Sequence, residues 1–171
     1  MQKVASRVLE SLDKMNACKV MHCHIRPENI LLRNPLCVDL IIIGFGDASY
    51  FSENIKGNVE ISAYSAPEVL FDMPITSKID IWGMGCVLAE MYLGRPLFSN
   101  SPLEGMVDIL GLPPAYMVDG RLLKGVGDRK LEGILAGAEK GFTEFVGMCL
   151  EWDPEKRISA KKALKHPWIR Q

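Results

Sequence analysis

The sequence predicts a mainly α-helical fold that opens on one helix, passes through a small β-hairpin and a long loop, and then continues in helices alone. Three observations carry that expectation. Val4, Val8, Leu12 and Met15 recur at helical spacing among Lys3, Arg7, Glu10 and Asp13, which predicts an amphipathic helix over the first 18 residues. Ile30, Leu31 and Leu32, then Val38 to Ile43, are short apolar runs separated by Asn34 and Pro35, which predicts two strands joined by a tight turn. From Gly44 to Tyr64 no period holds, and a loop of that length inside a compact domain is usually functional or disordered.

Beyond the loop, Ser77 is placed to cap a helix through Ile81, Trp82, Met84, Val87, Leu88 and Met91 that stops near Gly94. It is apolar on most faces, so it belongs at the centre of the domain. A shorter helix is expected from Leu103 to Leu110, ending at Gly111. Residues 115–138 carry Gly120, Gly125, Gly127, Gly133 and Gly137 and support no firm pattern. Phe142, Phe145, Val146, Cys149 and Leu150 restore helical spacing, and Ser159 is placed to cap a last helix before His166 and Pro167.

With 171 residues, 48% hydrophobic, 24% charged and a net charge of -1, the chain has the profile of one globular domain. Its basic residues are dispersed apart from Lys161, Lys162 and Lys165, which read as a solvated helix face. No basic stripe interleaved with aromatics points to nucleic acid. Cys18, Cys23, Cys37, Cys86 and Cys149 are scattered and odd in number, which fits reduced, buried thiols in an intracellular protein, cytoplasmic or nuclear. No apolar run is long enough to span a bilayer, so no membrane partner is expected.

Residues 22–32 read His-Cys-His-Ile-Arg-Pro-Glu-Asn-Ile-Leu-Leu, which resembles the catalytic loop of protein kinases, H-R-D-L-x-x-x-N. Gly44, Phe45 and Gly46 follow where that family has D-F-G; Ala66, Pro67 and Glu68 match A-P-E. Residues 80–85, Asp-Ile-Trp-Gly-Met-Gly, match the family's central-helix motif, and Arg157 closes Trp-Asp-Pro-Glu-Lys-Arg. Cys23 beside the loop histidine, residues 94–98 (Gly-Arg-Pro-Leu-Phe), 110–115 (Leu-Gly-Leu-Pro-Pro-Ala) and 149–154 (Cys-Leu-Glu-Trp-Asp-Pro) narrow the resemblance to the dual-specificity tyrosine-regulated (DYRK) kinases of the CMGC group. It covers residues 3–169 and is loosest between 99 and 140.

The resemblance implies a kinase C-terminal lobe, helical with a small β-hairpin at the cleft, and an absent N-terminal lobe. It divides the chain into a first helix (1–19), a catalytic-loop and hairpin region (20–46), an activation segment (47–68) and a helical subdomain (77–169). His22 and Phe45 are then expected to stack, Asp80 to hold the catalytic-loop backbone, and Glu68 to pair with Arg157.

The same resemblance shows where the pattern breaks. The glycine loop and strand lysine that clamp a nucleotide in that family are expected to be missing, since the residues begin at the helix before the catalytic loop. Gly44 replaces the Mg²⁺-binding aspartate, leaving Asn29 as a vestigial metal position; Mg²⁺ demands hard oxygen ligands. Asp47 is a candidate substitute, with a solvent-facing loop residue the plainer assignment. His24 occupies the catalytic-aspartate position and Arg26 that of the catalytic-loop lysine. A histidine can serve as a general base, so this change alone does not abolish chemistry. The Tyr-x-Tyr pair of the DYRK activation segment is replaced by Lys56, Gly57 and Asn58, and its basic receptors by Ser62 and Ser65; Tyr64 is assigned to packing.

ATP and Mg²⁺ are the family's cofactors, and none is expected to be used here. The reading favoured is a catalytically impaired, kinase-like protein that binds protein partners, with the oligomeric state left open. The alternatives are a weakly active serine/threonine/tyrosine kinase using His24 and Asp47, and a non-functional fragment of a kinase gene. A third class, a zinc site, starts from His22 and His24 on one face of an extended segment and needs His166, Cys18 or Cys37 to converge.

Overall fold

The computed structural model describes residues 1–34, 38–51, 60–99, 102–118 and 129–171. The hairpin turn at Pro35 with Cys37, the Lys56 to Asn58 stretch, and Gly120, Gly125 and Gly127 lie outside the described residues.

Helix α1 (Gln2–Ala17) buries Ala5, Val8, Leu9 and Leu12. The buried stripe is thus rotated from the one the sequence suggested: Val4 and Met15 are only partly covered at its flank. Cys18 beyond its end is exposed, whereas Cys23, Cys86 and Cys149 are buried as expected of small apolar groups.

The chain then forms β1 (Val20–Met21), β2 (Ile30–Asn34), β3 (Asp39–Ile42) and β4 (Ser49–Tyr50). The hairpin β2–β3 is antiparallel, with Ile30 opposite Ile42 and Leu32 opposite Leu40. A bond from the Ile43 N–H to the Asn29 carbonyl (2.9 Å) continues the pairing towards the site. Val38 is a turn residue and not the start of the strand. The region after Gly44 is more ordered than its composition suggested. Residues Phe45–Asp47 make one 3-10 turn, and β4 returns to pair with β1, Val20 opposite Tyr50 and Met21 opposite Ser49. Two two-residue strands leave too short a pattern for alternation to reveal.

After α2 (Pro67–Leu70), helix α3 (Lys78–Leu93) runs through the middle, with every residue from Ile79 to Ala89 buried. A helix apolar all round is a core helix. Its approach to the loop at 22–25 is close: a Cβ on Gly83 would stand 2.7 Å from the Ile25 carbonyl oxygen. Ser77 sits at the N-cap position in helical geometry and its side chain makes no cap bond. The Lys78 N–H meets the Thr76 hydroxyl instead, at 3.4 Å. The helix ends at Gly94.

Helices α4 (Pro102–Leu110), α5 (Leu131–Ile134), α6 (Lys140–Cys149), α7 (Ala160–Ala163) and α8 (Pro167–Arg170) complete the described chain. Ser159 caps α7 by accepting from the Lys162 N–H. It is not the last helix: His166 Nδ1 accepts from the Trp168 N–H and opens α8, which Pro167 starts at its first position. Trp168 fastens this end, its ring centroid 5.1 Å from Phe142 and 5.2 Å from Phe145. No described helix is long and apolar enough to cross a membrane.

Candidate functional site

The loop between β1 and β2 is fixed from below by Asp80, in the first turn of α3. Its carboxylate accepts from the His22 N–H (2.9 Å) and the Cys23 N–H (2.8 Å). Cys23 adopts φ +66°, so the segment turns and does not run extended. Burial pushes the Asp80 carboxyl up to about 6, against the opposing pull of those two N–H bonds. Burial likewise pushes the Cys23 thiol up to about 12, with Asp80 adding to it, so this cysteine stays a protonated, inert thiol at neutral pH.

His22 is fully buried and both its ring nitrogens are occupied. Nε2 lies 2.8 Å from the Ile43 carbonyl, and Nδ1 accepts from the His24 N–H at 3.2 Å. These partners fix the Nε2–H tautomer, and burial lowers its pKa, keeping the ring neutral. A zinc site on His22 and His24 is therefore not what the turn provides. Among the described residues no group of three or more His, Cys, Asp or Glu gathers to hold a metal. His22 meets Phe45 edge to face, centroids 4.8 Å apart, while Phe45 remains 50% exposed.

His24 projects into a polar cluster. Its Nδ1 lies 2.8 Å from Asp47 Oδ2, Arg26 approaches its Nε2 at 3.2 Å, and Glu60 lies 3.9 Å from Nε2. A guanidinium can only donate and a carboxylate can only accept, so the ring carries its proton on Nδ1 and offers Nε2 to Arg26. Arg26 is itself forked onto Glu28, at 2.7 and 3.3 Å, and lies over the Tyr64 ring at 5.6 Å. Asp47 is thus not a loop residue facing solvent: it is half-buried and engaged with His24. Nothing local links positions 24 and 47, and the sequence joins the two only through the alternative of a weakly active kinase. Tyr64, half-buried, gives its hydroxyl to Glu90 at 2.6 Å, a packing role. Ser62 and Ser65 close a turn on themselves, the Ser62 N–H donating to the Ser65 hydroxyl at 2.8 Å.

Asn29 and Gly44 face each other across the base of this cluster. The Asn29 amide donates to the His24 carbonyl at 2.8 Å. Gly44 has φ +80°, and a Cβ built on it would overlap the Asn29 amide, with Cγ at 2.6 Å and Nδ2 at 2.7 Å. Side chains with a Cβ rarely adopt this conformation, and here the space is also taken.

Glu68 in α2 and Arg157 form a fully buried pair with bonds of 2.6 and 2.8 Å. The guanidinium also donates to the carbonyls of Lys78 (2.9 Å), Glu151 (2.9 Å) and Trp152 (3.3 Å), and lies over the Trp82 ring at 5.1 Å. All five donors have acceptors, which is the condition under which a buried charge is tolerated.

The mainly helical fold with its few short strands is consistent with part of a protein kinase domain. The family described as Protein kinase domain matches residues 1–169, and the chain belongs to it. Within that family it is similar to Dual specificity tyrosine-phosphorylation-regulated kinase 3 of Homo sapiens, 32% identical over 211 aligned positions, which cover 98% of this chain and 36% of that protein. Dual specificity tyrosine-phosphorylation-regulated kinase 4 of Homo sapiens is 31% identical, covering 96% of this chain and 36% of its own length. The DYRK-family kinase pom1 of Schizosaccharomyces pombe is 29% identical, covering 98% and 18%. The chain therefore spans little more than a third of the human relatives' length.

Proposed function

We propose that this chain is the C-terminal lobe of a DYRK-like kinase domain whose cleft does not perform ordinary phosphoryl transfer, and that it serves as a protein-interaction module. Phosphoryl transfer needs metal ions to neutralise phosphate charge and a group that orients the attacking hydroxyl. The observation that carries the reading is the Gly44–Asn29 contact: the position that lacks a carboxylate has a left-handed backbone and abuts the Asn29 amide, which would have to shift to admit a side chain and which spends a donor on the His24 carbonyl. Of the carboxylates nearby, Asp47 and Glu28 are each committed to a neighbour, His24 and Arg26, while Glu60 stands exposed 3.9 Å from His24 Nε2. The residues present do not fit a magnesium–triphosphate group.

The division into first helix (1–19), catalytic-loop and hairpin region (20–46), activation segment (47–68) and helical subdomain (77–169) belongs to the same proposal. Leu31, Leu32, Phe45 and Tyr50 are all exposed around the cleft, as expected of a face that takes a protein cover.

A second reading, weak catalysis with His24 as general base, is favoured by the 2.8 Å contact that lets Asp47 orient the ring. Against it, Arg26 occupies the Nε2 lone pair that a substrate hydroxyl would need. Purified protein is expected to transfer no phosphate from Mg·ATP to a basic-protein substrate and to show no Mg²⁺-dependent thermal shift with nucleotide. A shift that disappears in Asn29→Ala overturns the proposal; turnover that disappears in His24→Asn supports the second reading instead.

A further inference from the structure

We infer a binding site for an acidic peptide segment of a partner protein in the basic hollow at the far end of the domain, where the start of α3 meets the segment between α6 and α7. The hollow has a volume of about 300 Å³ and is bordered by Lys78, Lys156, Lys162 and Lys165, with Met148 and Ile158 giving it an apolar side. Glu155 is the one carboxylate on its rim and is exposed. The molecule as a whole carries a net charge of -1, so this concentration of ammonium groups is local.

The lysines are not equivalent. Lys78 is half-buried and donates to the carbonyls of Pro154 (2.9 Å) and Arg157 (2.5 Å). It therefore lines the floor with a fixed charge. Lys156 lies 3.5 Å from Asp153. Lys162 and Lys165 are exposed, and among the described residues neither is ion-paired with a carboxylate. Two further basic residues on the border are committed inward: Arg157 to Glu68, and His166 to the Trp168 N–H. Burial, with the Arg157 charge adding to it, holds the Lys78 ammonium below its usual range, so an anion seated here relieves crowding of like charge.

An acidic peptide fits this better than nucleic acid. The one ring on its border, His166, is buried and turned to the Trp168 N–H, so it offers no open face to stack a base. Met148, 40% exposed, instead offers a flexible apolar contact beside the lysines, suited to a segment with an apolar residue among its acids. The site lies outside the cleft and does not depend on how the cleft is read.

The test is fluorescence anisotropy on the full chain with a short labelled peptide of aspartate and glutamate around one central leucine. We expect saturable binding that weakens as salt rises. Lys162→Glu and Lys165→Glu should each weaken it about tenfold or more, the scale of losing one charge-assisted hydrogen bond. Glu155→Gln should strengthen it, and Met148→Ser should weaken binding of this peptide but not of one in which the leucine is replaced by glutamate. Lys161→Glu makes the same change in net charge one position outside the hollow and should leave binding nearly unchanged. All five positions are exposed; should a glutamate variant melt early, Lys162→Gln replaces it. Equal loss in Lys161→Glu and Lys162→Glu overturns the proposal, because it reports only overall charge. Tighter binding of a single-stranded oligonucleotide with the same Lys162 dependence overturns it too, as does full displacement of the peptide by inorganic phosphate at equal charge.

Discussion

The Glu68–Arg157 pair and the His24–Asp47–Arg26 cluster use the same kinds of side chain under opposite conditions. In the first, a carboxylate and a guanidinium are removed from water altogether, and every donor of the arginine is met. In the second, an imidazole, a guanidinium and the carboxylates Asp47 and Glu28 sit partly or fully exposed and are hydrogen-bonded to one another in pairs. The buried set fixes geometry, because breaking any part of it strands a charge. The cleft set has lower stakes for folding, since water can replace each partner. It follows that side chains in the cleft can change at less cost to the fold than Glu68, Arg157 and Asp80.

The largest effect that could break this contrast is at the buried pair. Arg157→Met should cost about 3–5 kcal/mol by urea unfolding, because Glu68 is left buried and unpaired. Adding Glu68→Gln should recover part of that loss. If the single variant costs no more than the double, the pair is not what holds the segment. Asp80→Asn comes next, at about 1–3 kcal/mol, since an amide cannot accept from the His22 and Cys23 N–H groups with both its atoms.

Asp80 also gives the contrast a pH signature. Its carboxyl is held at about 6 in the fold and returns to about 3.9 when unfolded. The unfolded state therefore loses its proton first, and the group's contribution is fully present below about pH 4 and is lost as pH rises through about 6. The stability gap between wild type and Asp80→Asn should narrow over that window; a gap that widens contradicts the burial argument.

Gly44→Asp sharpens the other side of the comparison. The left-handed backbone costs a side chain about 1–2 kcal/mol, and overlap with Asn29 adds to it. Asn29→Ala in the same chain should relieve the overlap, so the double variant should be less destabilised than the sum of the two. Smallest is the pair of serines that head helices. Ser159→Ala should cost about 0.5–2 kcal/mol, since its hydroxyl caps α7. Ser77→Ala should stay within about 0.5 kcal/mol, since its hydroxyl makes no cap bond. Thermal melts compared side by side distinguish the two.

Those serines also mark what a sequence can reveal. Both precede apolar helical patterns, yet only one caps, because the choice depends on the dihedrals of the residue before the helix and not on its identity. Long periodic elements were legible: α1, α3, α4 and α6 fall where their apolar spacing put them, and the hairpin where its β-rich runs did. The rotated face of α1 was not, because Ala5 and Leu9 join the core only once α7, α8 and the strands are packed against it. Strand β4 and helix α8 were too short for any period to show. In the cleft, motif register located His24, Asn29 and Gly44, but Asp47 beside His24 and Glu28 beneath Arg26 are products of the loop's turn at Cys23 and of the 3-10 turn after Gly44.

The most direct test of the cleft is paramagnetic. Mn²⁺ with ATP is titrated into isotope-labelled protein, and the signals of the Gly44 backbone amide and the Asn29 side-chain amide are followed by NMR. Both should keep their line widths, with only weak, scattered broadening at surface carboxylates. Selective, saturable broadening of those two signals would mean that a metal–triphosphate does seat between Asn29 and Gly44, and would contradict the account.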